Sequence, residues 1–235
     1  MKGSAYMNDI AAELQEQLEI RTVFTVPVGK WEIPISESTV VTWIIIGVVF
    51  LICLILGTNL KVKNISKRQA LSEFIVTKLE GLVAGMIGEE GKGYVPYLLA
   101  VFIFLMFSNT FGIFGFKPPT KDLNVTAALA IMSILIVQIA NIKAHNPWGW
   151  IKSFTKPIAV VTPINILELA IKPLSLCMRL FGNVLGAFII MELLKSVVPV
   201  VVPAVFSLYF DLFDGILQAY VFVFLTSLYI KEAIE

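Results

Sequence analysis

Three stretches of at least 20 residues, 40–60, 94–116 and 123–142, contain no charged side chain. A helix needs about 20 such residues to cross the roughly 30 Å hydrocarbon core of a bilayer. Two further apolar stretches, 163–197 and 201–231, carry a few polar and charged groups. Of the 235 residues 57% are hydrophobic and 15% charged, with mean hydropathy +0.86. Soluble domains run near 45–50% apolar and about 25% charged. The chain therefore reads as an all-α polytopic membrane protein, with the lipid bilayer as its surroundings. The net charge of +1 points to neither nucleic acid nor an acidic substrate.

Residues 1–39 form a polar external segment, and 40–235 a single transmembrane helical domain. The first apolar run begins too far from Met1 for an ordinary cleaved signal peptide. Residues 9–20 suit a short amphipathic helix, and 23–35 alternate around Pro27-Val28-Gly29-Lys30 like a small β-hairpin. Lys61, Lys63, Lys67 and Arg68 follow the first span, which puts that end in the cytoplasm and the N-terminus outside. In 70–88, Leu71, Phe74, Ile75, Leu79, Leu82, Val83 and Met86 recur at helical steps among Ser72, Glu73, Thr77 and Glu80. That pattern predicts an amphipathic helix at the inner surface or packed on others, not a span. Spans at 94–116 and 123–142 follow, joined by an external turn at 117–122, and 143–156 is a basic, aromatic inner loop. The last two segments make about five crossings in all. The penultimate one, at 1.5 Å per residue, is roughly 50 Å long. Both must lie steeply tilted, kink or project. The C-terminus is cytoplasmic.

Arg179 sits near the middle of the penultimate segment. Placing its charge there costs about 2.5–3.5 kcal/mol on insertion scales, and a guanidinium does not escape by losing its proton. Asn165, Glu168, Lys172, Ser175, Arg179, Asn183 and Gly186 share one helical face by their steps of three and four. Ser207, Asp211, Asp214 and Gln218 repeat the spacing on the last segment. Two facing polar stripes between apolar walls suit a path for a small ion. The plainer alternative is that these groups only join helices, each polar contact contributing about 0.6 kcal/mol. Polar groups lie on both sides of Arg179, as two half-paths separated by a fixed positive charge would require. A turn near Pro199 sets Arg179 level with Gln218, Asn183 with Asp214 and Gly186 with Asp211.

The run Lys172-Pro173-Leu174-Ser175-Leu176-Cys177-Met178-Arg179-Leu180-Phe181-Gly182-Asn183 resembles the K-P-x-S-L-x-x-R-L-F-G-N motif of subunit a of F-type ATP synthases. Asn165-Ile166-Leu167-Glu168, Pro119-Thr120-Lys121-Asp122-Leu123-Asn124-Val125-Thr126 and Leu217-Gln218-Ala219-Tyr220-Val221-Phe222 fit the same family. The resemblance covers most of the chain from about residue 35. It implies a non-catalytic stator subunit in a bacterial plasma membrane. Its partners would be a ring of c subunits, peripheral-stalk b subunits and the remainder of the synthase. It further implies that Arg179 faces the ring's ion-binding carboxylate, that Gln218 and Asn183 lie near it, and that Glu168 belongs to the inner half-channel. No cofactor or metal is expected.

The chain departs from the family at Phe188, where many relatives carry an acid or histidine nine residues after the arginine. Asp211 stands seven residues before the family's glutamine, with Asp214 three further on. The outer half-channel is thus expected to take its carboxylates from the last helix alone, and H⁺ and Na⁺ both remain open as the coupling ion. Other signals read as structural. Gly88-Glu89-Glu90-Gly91-Lys92-Gly93 fails the P-loop spacing. Cys53 and Cys177 read as core residues, His145 as a surface residue, and Glu192 as a solvated acid off the Arg179 stripe. Gly182 and Gly186 permit close helix approach. Asn64-Ile65-Ser66 matches a glycosylation pattern on the inner side. The competing functions are a secondary transporter with a midplane substrate site, or a membrane scaffold in which Arg179 pairs with Asp211 or Asp214 inside the chain.

Overall fold

The computed structural model describes residues 22–28, 31–58, 60–61, 66–153, 162–197 and 201–235. The expected helix at 9–20 and the asparagine of the glycosylation pattern lie outside them. Strands β1 (Thr22–Val28) and β2 (Trp31–Ser36) pair antiparallel, with Val28 opposite Trp31 and Val26 opposite Ile33. Ser36 ends the strand and caps the next element at once: its Oγ accepts from the Thr39 amide at 3.3 Å. Helix α1 (Glu37–Gly57) therefore starts without a linker, and Glu37 in its first turn suits the positive helix end.

Helix α2 (Lys67–Ile87) is capped by Ser66 and stopped by Gly88, whose φ of 79° suits a residue without Cβ. Pro96, at the start of α3 (Val95–Thr110), lies where a missing N–H costs nothing. A tight turn over Pro119–Lys121 leads into α4 (Leu123–Ser153). Then come α5 (Thr162–Val197), a short α6 (Val201–Ser207), a π-helical segment over Leu208–Asp214, and α7 (Gly215–Ile234).

Among the described residues five helical stretches are long and apolar enough to cross a membrane: Glu37–Gly57, Lys92–Ile113, Leu123–Pro147, Thr162–Lys195 and Val205–Ile234. The chain is thus an all-α polytopic membrane protein with one small hairpin. Three local expectations change. The inner loop from residue 143 is helical as far as Ser153, broken at Asn146 (φ 59°, ψ 161°). Pro147 accounts for the extended ψ, because a residue before proline is pushed out of the helical region, but not for the positive φ. In α2, Gln69 and Ser72 turn inward, while Leu71 and Phe74 are each 60% exposed. The first part of its apolar stripe thus faces away from the bundle, while Leu79, Val83 and Met86 of the same stripe, with Ile87, pack the helix on the core as the periodicity allowed. Cys53 is exposed on α1, whereas Cys177 is buried as expected.

The core brings Leu98 and Leu105 of α3, Ile134 and Val137 of α4, Leu176 and Leu180 of α5, and Val223 and Ile230 of α7 together. Helix α4 is central: α5 packs mainly on it, α7 packs on α3 and, next, on α4, and α5 touches α7 only lightly. The last two segments therefore do not lie stripe to stripe. The apolar side of α5 buries on α4 and that of α7 on α3 and α4, and space is left beside their polar groups.

Candidate functional site: two cavities flanking an exposed arginine

Arg179 lies 17 residues from Thr162 and 16 from Lys195 in the crossing stretch of α5 (179 − 162 and 195 − 179). Leu176, Cys177 and Leu180 on one side of α5 are buried, while Leu174 and Met178 are more than half exposed. Arg179 shares the exposed side, with Gly182 and Asn183. Among the described residues its guanidinium has no ion-pair partner, and neither Asp211 nor Asp214 bridges to it. An added Cβ at Gly182 or Gly186 would meet nothing within 4 Å, so no part of the chain approaches these glycines closely.

A cavity of about 520 Å³ lies at the end of the bundle bearing the Pro119–Lys121 turn. Ser207, Asp211 and Asp214 line one side of it, and Val184, Ala187, Phe188 and Glu192 of α5 another. Asn183, expected level with Asp214, is not on this wall; it is exposed on the Arg179 side. Gly186, expected opposite Asp211, is not among the lining residues either. The π-helical segment accounts for part of this: its i→i+5 bonding alters the angular placement of Asp211 and Asp214 relative to a regular α-helix. Glu192, read from sequence as a solvated acid, instead lines the cavity and pairs with Lys195 at 2.8 Å.

Asp211 approaches the chain at Gly112, where a Cβ would fall 2.7 Å from its Oδ1. Nearby, Asn109 donates from Nδ2 to the Gly215 carbonyl (3.0 Å) and accepts from the Thr120 hydroxyl at Oδ1 (2.8 Å). Asn109 is 4% exposed and Thr120 fully buried. This asparagine thus fixes α3, the turn and the start of α7 just after Asp214. Sequence reasoning missed Asn109 and Gly112. The signal was present in the polar triplet Ser108-Asn109-Thr110 inside an otherwise apolar run.

A second cavity, of about 310 Å³, opens at the opposite end, beside the C-terminus of α7. It gathers Asn165, Glu168 and Lys172 of α5, Gln138 and Asn141 of α4, and Tyr229 and Glu232 of α7. Lys172 reaches across to Glu232 at 2.9 Å, lies 3.7 Å from Glu168, and sits 5.2 Å from the Tyr229 ring centre. The Asn141 Oδ1 is buried without a partner in the described structure. Gln138 and Asn141 were missed; their signal is two amides on one face of the 123–142 run. Arg179 falls between the two cavities, bounded on α5 by Lys172 and Val184. Ser175 is half-buried and lines neither cavity, and Gln218, 6% exposed, sits within the bundle on α7. His145 is half-buried and its Nδ1 has no partner among the described residues, so it is not a plain surface residue.

A family model described as ATP synthase A chain matches residues 39–231. ATP synthase subunit a of Moorella thermoacetica is 37% identical over 208 residues, covering 86% of this chain and 93% of that one. The sodium ion specific subunit a of Propionigenium modestum is 31% identical over 222 residues, covering 88% and 76%. Subunit a of Geobacter sulfurreducens is 32% identical over 205 residues, covering 85% and 88%. Matches of this extent, on a chain whose exposed arginine stands between two polar cavities, show that it belongs to the ATP synthase A chain family, the ion-translocating stator subunits of F-type ATP synthases.

Proposed function

We propose that this stator subunit passes its ions through two half-channels, with Arg179 as the barrier between them and a ring of c subunits against the exposed face of α5. The cavity beside Asp211 and Asp214 is the outer half-channel, and the one beside Glu168 and Asn165 the inner. The observation that carries this reading is Arg179 itself: exposed at mid-span, between the cavities, and without an ion-pair partner among the described residues. A bare guanidinium at that depth needs a carboxylate from elsewhere. The scaffold alternative requires that partner inside the chain.

An ion passes from outside along Ser207, Asp211 and Asp214 and loads a ring carboxylate. A carboxylate arriving opposite Arg179 is held in its charged form by the nearby cation, and so gives up its ion toward Glu168 and Asn165. The open space at Gly182 and Gly186 lets the ring approach α5 closely. Gln218, buried behind this face, and Ser175 and Asn183 beside Arg179 act as polar neighbours of the arginine. The subunit performs no bond chemistry of its own, and peripheral-stalk b subunits hold it to the rest of the synthase. Lys61, Lys67 and Arg68 follow the first span and Lys143 follows Gln138 and Asn141 of the second cavity, and by the excess of positive charge we take that side as cytoplasmic in a bacterial plasma membrane.

The test is Arg179→Ala in assembled membranes. ATP synthesis should fall to background while the subunit remains in the complex. Near-normal synthesis by well-assembled complexes would overturn the assignment. Arg179→Lys keeps the charge without the planar fork and should also fall well below wild type.

A further inference from the structure

Lys121 is 7% exposed in the tight turn between α3 and α4, and its ammonium lies 4.4 Å from the centre of the Phe188 ring. Phe188 also belongs to the wall of the outer cavity, as do Lys117 and Pro118 just before the turn. The turn holds the lysine in place. Its amide donates to the Pro118 carbonyl at 3.2 Å, the preceding Thr120 is tied to Asn109, and the following Asp122 accepts from the Asn124 amide at 2.9 Å. A buried charge thus rests against an aromatic residue that lines the space through which cations travel. A phenyl ring screens a charge far less than water does.

We propose that Lys121 is a titratable element in the wall of the outer cavity, slowing the access of cations while charged and admitting them faster when neutral. This rests on reading that cavity as the outer half-channel. The groups that set its charge are all close by. Burial, and then Lys117, pull its pKa from the usual 10.5 down to about 8, against the opposing pull of Glu37 on α1, Glu192 on α5 and the adjacent Asp122. Lys195, also on α5, is paired with Glu192. Helix α3 has no charged residue, and α4 has none before Lys143. The ammonium therefore holds its proton on the acid side of about 8 and loses it on the alkaline side, within a range that an external medium spans. A positive charge facing a narrow polar space lowers the local concentration of cations, so its loss raises their rate of arrival.

The experiment uses the whole synthase in liposomes, with the nucleotide-handling side outward and the outer cavity facing the lumen. A fixed potassium diffusion potential drives synthesis while the lumen pH is stepped. Wild type is compared at each pH with Lys121→Arg, which keeps a stacked charge throughout, and with Lys121→Met, which has none. Taking the ratio at equal pH cancels changes in the supply of protons. The ratio of wild type to Lys121→Arg should be near one below about pH 7 and rise to roughly threefold above about pH 9. Lys121→Met should exceed wild type by roughly threefold at the low end and equal it at the high end. A ratio to Lys121→Arg that stays flat across the range overturns the inference, as does a Lys121→Met enzyme no faster than wild type at low pH. If Lys121→Met does not assemble, the Arg comparison decides alone. A flat ratio alongside an inactive Arg179→Ala complex removes only the role of Lys121, whereas an active Arg179→Ala complex removes the half-channel reading itself.

Discussion

Replacing Thr120 by valine removes one hydroxyl and keeps the shape of the side chain. In this chain that hydroxyl donates to Asn109 Oδ1 at 2.8 Å, with Thr120 fully buried and Asn109 4% exposed. The substitution leaves a buried amide oxygen without its donor, which costs about 1–3 kcal/mol. Asn109→Leu removes the same bond and also the one from Nδ2 to the Gly215 carbonyl at 3.0 Å. It should cost more, roughly 2–4 kcal/mol, because a buried hydroxyl and part of a carbonyl's capacity both go unused. The two changes share one bond, so the double variant should be about 1 kcal/mol less destabilised than the sum. The measurement is unfolding of the purified subunit in mixed micelles with rising sodium dodecyl sulfate, followed by tryptophan fluorescence. Strict additivity, within about 0.3 kcal/mol, would refute the claim that Asn109 ties the turn to α7.

At Gly112 a methyl would fall 2.7 Å from Asp211 Oδ1, so Gly112→Ala must displace the carboxylate. Ion passage should drop about tenfold, with unfolding changed by less than about 0.5 kcal/mol; unaltered passage removes Asp211 from the path. Asp211→Asn with Asp214→Asn should slow inward passive ion flux on the order of tenfold, much more than Glu168→Gln slows access from outside. A double variant conducting like wild type means the ion arrives by another route. With Cys53 and Cys177 replaced by serine, cysteines at 184 and 214 should cross-link more readily than cysteines at 183 and 214, because residue 184 lines the cavity and residue 183 faces outward. Equal yields would mean the wall of α5 is wrongly drawn.

The spans and Arg179 were legible because they rest on strong, local signals. A run without charge admits few alternatives to a crossing helix, and one arginine in such a run stands out against its cost. The hairpin was legible too, from alternation around Pro27-Val28. What sequence did not give was angular placement. Steps of three and four assume a regular α-helix, and the π-helical stretch over Leu208–Asp214 departs from it where the aspartates sit. Glu192 was misread because its position was judged against the Arg179 stripe, while the cavity wall runs along Val184, Phe188 and Glu192. The inner loop was misread because Pro147 breaks a helix for one residue without ending it. Asn109 and Asn141 lay in runs whose overall hydrophobicity hid single amides. Which apolar side of α2 meets the bundle depends on neighbours far away in sequence, and its own periodicity holds no record of them.

The π-helical stretch also makes length a variable at this point of the chain. A π-helix turns less per residue than the about 100° of an α-helix, so deleting one residue between Leu208 and Asp214 and letting the stretch tighten would leave the helix before it nearly in phase with α7 and re-aim only the side chains within the stretch. Point substitutions change what a side chain is; this deletion would change where whole side chains aim. Asp211 would change its aim at the cavity wall while Ser207, Gln218 and the α7 core kept their seats. Homologous chains differing by a single residue here can thus carry the same acids and present them to different surroundings. A one-residue gap at that place is a local re-aiming of the cavity's lining, not a neutral slip of alignment.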